Sequence, residues 1–271
     1  MCSMEPSQPQ LATGTGEDFL RRVWALFEVL LVALAGPVIV QIGFIFLNIG
    51  SAGILSDTRI LFLFMASEAC ITLCFIVLLL RSRGQSLRNI GWVWDNPGWE
   101  ILLGIGCLPL LFGSTLLVNI FFNFFLPDYV STSNPLLELI ESYGALLLFL
   151  ISSIYVGGIK EEIQRAFVLD RFERYLGAIL LMPFLRISGR YPSEQDGRRV
   201  GIIVGLILWS LFFAYGHAVQ GIDNAVGAGI LGLCFGLLYI WRRNLVAPIV
   251  AHALFDVVTL LIFWFVMNNP G

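Results

Sequence analysis

Residues 157–166 read Gly157-Gly158-Ile159-Lys160-Glu161-Glu162-Ile163-Gln164-Arg165-Ala166. The stretch sets four ionisable side chains into a run that is otherwise apolar enough to cross a bilayer. That run begins near Tyr143 and meets no breaker stronger than Gly157-Gly158 before Gly177. Charge at membrane depth is costly, so ionisable residues there are read first as parts of a functional site. Composition supports the depth: of 271 residues, 58% are hydrophobic and 13% charged, against roughly 25% charged in soluble domains. A soluble globular protein is excluded. Several runs of about 20 apolar residues imply an all-α, polytopic integral membrane bundle.

Working outward, the upstream runs place spans at about Trp24–Leu47, with Pro37 inside it, Ile60–Leu80 and Ile101–Leu126. Asn134-Pro135 opens a short helix or loop before the charged run. Downstream, Ala178–Ile187 is too short to span and reads as interfacial or re-entrant, followed by a polar loop at Ser188–Arg199. Further spans fall at about Val200–Val219, Ala225–Ile240 and Leu245–Val266. This makes about seven to eight transmembrane helices in one domain, residues 19–271, behind a flexible cytoplasmic tail, residues 1–18. The tail lacks the charged-then-apolar order of a cleavable signal.

Basic residues orient the chain. With Arg21 and Arg22 inside, alternation puts every loop arginine except Arg59 on that side. A Lys/Arg excess in short cytoplasmic loops is the positive-inside rule, so the N-terminus is expected in the cytoplasm. The net charge of −3 says little, because the charges are few and their placement matters more, and no nucleic-acid partner is expected. Five cysteines without a CxxC pair read as packing residues rather than a disulfide framework or zinc knuckle.

Only two histidines occur, His217 in Phe213-Ala214-Tyr215-Gly216-His217 and His252 in His252-Ala253-Leu254-Phe255-Asp256, and both read as lying inside spans. At i,i+4, His252 and Asp256 share a helix face, as do Glu161 and Arg165. At a rise of about 1.5 Å per residue, Glu161 and His252 each lie about 15 Å from the arginine-flanked surface, and His217 about 10 Å from the other. A carboxylate in a water-filled pocket is a general base for water. One histidine can hold that water, and the other, with a polar side chain, can donate to a developing oxyanion. The same set permits zinc, since two histidines and a carboxylate leave a position for water. Bland readings stand beside these: a self-neutralising Glu161–Arg165 pair, helix-tethering histidines, or a proton relay in a transporter.

These motifs resemble those of the CPBP/Abi family, the CAAX-type prenyl endopeptidases and related intramembrane proteases. Its pattern is Glu-Glu-x-x-x-Arg, Phe-x-x-x-His and His-x-x-x-Asn/Asp on three successive helices. Phe213-x-x-x-His217 and His252-x-x-x-Asp256 match it, as does the glycine-rich span Gly229–Tyr239 between them. The first motif is shorter, Glu161-Glu162-x-x-Arg165. Aligned on the arginine, Glu161 takes the second glutamate's place and Lys160 the first; aligned on the glutamates, Arg165 moves about 100° around the helix. The i,i+4 relation to Arg165 favours Glu161 as the base, with Glu162 as its rival.

The resemblance implies a CPBP/Abi-like core at about residues 143–266 and a cavity facing the cytosol. It implies hydrolysis of a peptide bond in a membrane-associated or lipidated substrate. Glu161 would activate water with help from His217, Arg165 would orient Glu161, and His252 with Asp256 would form the oxyanion site. No cofactor is required on this reading, although zinc fits the residue types. A non-catalytic membrane partner or immunity-type protein of the same fold is the second reading, kept open by the shortened motif.

Overall fold

Each apolar run expected to span folds as a helix in the computed structural model of the chain, which describes residues 16–177, Leu180 and residues 193–269. Seven helices are long and apolar enough to cross a bilayer. They are α1 (Gly16–Phe46), α2 (Thr58–Ser82), α3 (Pro97–Phe125), α4 (Tyr143–Leu176), α5 (Glu194–Gly216), α6 (Ile222–Arg242) and α7 (Val246–Asn268). No strand occurs among the described residues. The tail over residues 1–15, most of the apolar segment at 178–187 and the first half of the following polar loop lie outside them.

Polar residues set where the helices start. Asp57 accepts from the backbone amides of Arg59 at 2.7 Å and Ile60 at 3.3 Å, and so caps α2. Ser142 caps α4 through the amide of Ala145. Ser193 and Asp196 form a reciprocal capping box on α5, which is why that helix starts at Glu194 rather than near Val200. Its other end also differs from expectation. Gly216 closes α5, a single 3₁₀ turn follows at Ala218–Gln220, and Gly221 adopts φ +107°. His217 is therefore the C-terminal cap of α5 and not a residue within the span. The expected short element at Asn134-Pro135 is the turn Pro135–Glu138, capped by the Asn134 side chain.

Helix α4 is not uniformly α-helical. Ser153–Glu161 and Phe172–Leu176 are π-helical, and between them Glu162–Arg171 is α-helical. Wide π turns are rare and concentrate at functional sites. Here the π segment carries Gly157-Gly158 against α7. A Cβ on Gly158 would stand 2.8 Å from the Cβ of Ala253 and 3.2 Å from the carbonyl of Ile249, so two backbones meet where only glycine fits. On α6, Gly232 and Gly236 leave room for the side chains of Phe213 and Leu206 of α5.

The two ends of the bundle differ. At one end Arg83 pairs with Glu28, Arg242 with Glu100 and Arg243 with Glu173, and the amide of Leu245 donates to the carbonyl of Gly91. Every arginine among the described residues other than Arg59 and Arg165 belongs to this end. It is filled by a buried cluster that includes Ile90, Phe167, Leu169, Trp209, Tyr239 and Leu245. At the other end Thr58 donates to the carbonyl of Leu139, Ser131 to Asp223 and Asn134 to Gln220. That end is hollow.

Candidate active site

A cavity of about 750 Å³ runs from mid-bundle to the hollow end. Glu161, Gly157, His252 and Asp256 line its deep part, apolar residues such as Phe112, Val156, Leu231 and Phe255 its walls, and Asn134, Gln220, Asp223 and Asn224 its rim. His217 lines it too. The three motifs, on α4, at the end of α5 and on α7, thus border one space.

The adjacent glutamates occupy different environments. Glu161 lines the cavity with its side chain 21% exposed, whereas Glu162 is 1% exposed and faces inward. Glu162 pairs with Arg165 on the next turn and accepts from Nδ1 of His252 at 2.7 Å. An ionised carboxylate only accepts, so Nδ1 of His252 carries a proton there. The opposite nitrogen, Nε2, points towards two more carboxylates, 3.8 Å from Glu161 and 3.7 Å from Asp256. These separations are too long for direct hydrogen bonds and suit a bridging water or substrate oxygen. Phe235 stacks on the His252 ring at 4.4 Å, which fixes the imidazole plane. Arg165 lies 5.1 Å from the Phe213 ring centre and 5.5 Å from that of Phe235, within reach of both π faces.

The local helix geometry corrects the expected role of Arg165. The arginine reaches Glu162 at i,i+3 and makes no ion pair with Glu161 at i,i+4. The π segment ends at Glu161 and the α-helix resumes at Glu162, so counting four along a regular helix does not apply across that joint. Lys160 turns away from the cavity to Glu68, 2.9 Å from its carboxylate, which also accepts from Thr72. The alignment that put Lys160 in the first glutamate's place is therefore not the one the geometry follows. Glu161 and Glu162 stand as the front and back members of the pair.

His217 holds its ring through Nδ1, 2.8 Å from the carbonyl of Phe213. A carbonyl only accepts, so the proton is on Nδ1, and in the neutral ring Nε2 is an acceptor. Among the described residues no ion pair or hydrogen bond links His217 to Glu161, His252 or Asp256. It shares their cavity and faces them across it. No three His, Cys, Asp or Glu side chains among the described residues are arranged to hold a metal ion. The donor types fit zinc, but the geometry does not assemble them around one point.

The sequence named Glu162 as a rival base but gave no sign of its position between Arg165 and His252, and it did not single out the Lys160–Glu68 pair or Phe235. Glu162 is the hub between α4 and α7, Lys160–Glu68 ties α4 to α2, and Phe235 lies flat on His252. The first two are charges in apolar runs and therefore needed partners. The third is a phenylalanine among many.

With this geometry in place, the comparisons with known proteins become specific. The sequence model of the type II CAAX prenyl endopeptidase Rce1-like family matches residues 143–258. Over that segment the chain is similar to the Rce1-like family. The match begins with α4 and ends just past Asp256, so it takes in all three motifs. At family level it is to intramembrane proteases of the CAAX type, and with the seven apolar helices it makes the chain a multi-pass integral membrane protein. Such proteases act within the bilayer on peptide substrates. No curated protein and no solved structure matches the chain.

The resemblance also implied a cavity facing the cytosol. The cavity opens at the end opposite the arginine cluster. A cytosol-facing cavity and an N-terminus placed in the cytoplasm by the positive-inside rule therefore exclude each other in this chain.

Proposed function

We propose that the chain is an intramembrane endopeptidase in which Glu161 activates the water that cleaves a peptide bond. The observation that carries this reading is the position of Glu161, lining the deep end of the cavity 3.8 Å from Nε2 of His252. Glu161 takes a proton from water while Nε2 of His217, an acceptor, steadies the water's other hydrogen. The hydroxyl oxygen bonds to the peptide carbonyl carbon, and the carbonyl oxygen becomes an oxyanion. His252, protonated on both nitrogens, donates from Nε2 to that oxyanion, and Asp256 donates beside it as a neutral acid. Collapse breaks the carbon–nitrogen bond, and the proton held by Glu161 passes to the departing amine. Glu162 and Arg165 touch neither water nor substrate; they position His252.

The substrate is a peptide segment of a membrane-associated or lipidated protein, since the walls are apolar and the rim carries hydrogen-bonding groups. The test is purified protein in lipid nanodiscs with quenched fluorescent peptides, prenylated and plain. Cleavage products from the wild type are expected. A wild type that cleaves none of these peptides overturns the reading and leaves a non-catalytic partner of the same fold.

Two substitutions probe the oxyanion side. Asp256→Asn is expected to retain most turnover, because an amide donates as a neutral acid does, whereas Asp256→Ala is expected to lose it. Equal losses in both would sink the donor role. Gly157→Ala adds a Cβ that would stand 2.7 Å from Oδ2 of Asp256 and 3.6 Å from Nε2 of His252. The carboxylate can swing aside, so the melting temperature is expected to hold. Turnover is expected to fall on the order of 10²-fold from misplacement of the donor. An unchanged rate would show that Asp256 is not held where the reaction needs it.

A further inference from the structure

We infer that the catalytic cavity opens away from the cytoplasm, so that the enzyme works on polypeptide segments exposed on the extra-cytoplasmic side. Two independent features carry this. The first is shape. The cavity reaches from Glu161 and His252 to a rim at Asn134, Gln220 and Asn224, while the opposite end is closed by buried Phe167, Leu169, Tyr239 and Leu245. The arginine end gives no access. The second is charge. The rim end carries Arg59 as its single basic residue among the described residues, whereas the closed end carries the arginines of α1, the α2–α3 turn, the end of α4, the start of α5 and the α6–α7 turn. Basic residues in short loops remain in the cytoplasm. The arginine end is thus cytoplasmic, and the mouth is not.

The consequence for substrate class rests on reading this cavity as proteolytic. A cytosolic protein lipidated at its terminus would meet the closed floor of the bundle. A membrane-anchored chain with its cleavable segment outside the cytoplasm would meet the open mouth, where Asn134, Asn224 and Gln220 can hydrogen-bond its backbone.

The test maps sidedness without using activity. In a variant with all five cysteines replaced by alanine, single cysteines are introduced as Ser133→Cys at the rim, Asp95→Cys in the arginine-end turn and Thr259→Cys in the cavity wall. Each is reacted with a membrane-impermeant maleimide in sealed vesicles of known orientation. Ser133→Cys and Thr259→Cys are expected to label from the extra-cytoplasmic side, and Asp95→Cys only from the cytoplasmic side. Labelling of Thr259→Cys from the cytoplasm, or its failure to label from outside, overturns the inference. If the cysteine-free chain does not fold, fusions to the C-terminus of the unaltered sequence read the same orientation. With seven spans, a phosphatase that is active only outside the cytoplasm is expected to be active there, and a fluorescent reporter that matures only inside is expected to be dark; the reverse overturns the inference. An outward cavity on a chain that cleaves no peptide would remove the proteolytic reading and leave the access side standing.

Discussion

Glu161→Gln is expected to lower peptide cleavage by about 10²–10⁴-fold, the range for removing a general base. The melting temperature is expected to stay within a few degrees of the wild type. The amide is isosteric and lies against the cavity, so no buried partner is orphaned. Glu162→Gln makes the contrast. That side chain is 1% exposed between Arg165 and His252, so neutralising it unpairs a buried guanidinium and releases the Nδ1 proton of His252. Both rate and thermal stability are expected to drop. Nanodisc cleavage assays run beside thermal unfolding in the same lipid separate the two glutamates. A Glu161→Gln enzyme with wild-type turnover, while Glu162→Gln unfolds normally and is inactive, would transfer the base to Glu162.

Glu28→Ala is expected to produce the largest loss of stability, about 3–5 kcal/mol, the usual result of stranding a buried charge. Glu28 is fully buried and holds two arginines, Nε of Arg83 and Nε of Arg171, each at 2.6 Å. Arg171 is also fully buried. It pairs with Asp170 at 2.7 Å, donates to the side-chain oxygen of Gln85 at 3.0 Å and packs over the Phe167 ring. This network ties α1 to α2 and α4. Total stabilities of folded proteins are only about 5–15 kcal/mol, so the loss is a large fraction of what holds the chain. Glu28→Gln, which keeps the shape and some hydrogen bonding, is expected to fall between. A Glu28→Ala protein that resists heat and protease like the wild type would show that the network is not needed for the fold.

The spans were legible because hydrophobicity is local: every apolar run long enough to span appears as a helix, with ends moved where a cap such as Ser193 or a turn such as Gly216–Gly221 intervenes. The His252–Asp256 pairing was legible for the same reason, since i,i+4 on a regular helix needs no tertiary knowledge. What could not be read was any relation crossing a joint or a long interval. The partner of Arg165 changed because the π turns end at Glu161, and no residue pattern announces a π turn. Glu28 is an acid in an apolar run whose arginines lie 55 and 143 residues away. An acid in an apolar run requires a cation, but several arginines were available and only packing selects among them. The direction of the cavity was hidden likewise. Loop charges showed which end is which, but they carried nothing about which end is hollow.

That asymmetry divides the molecule by purpose. The half beneath Glu162 is dense, charge-paired and intolerant, and it behaves as a foundation whose residues answer to one another. The half above Glu161 is open, walled by side chains with few obligations and rimmed by loops. Changes in the upper half can retune what enters without disturbing what stands below. One foundation can thus carry many mouths, and descendants of this chain could diverge widely in what they cut while folding in the same way.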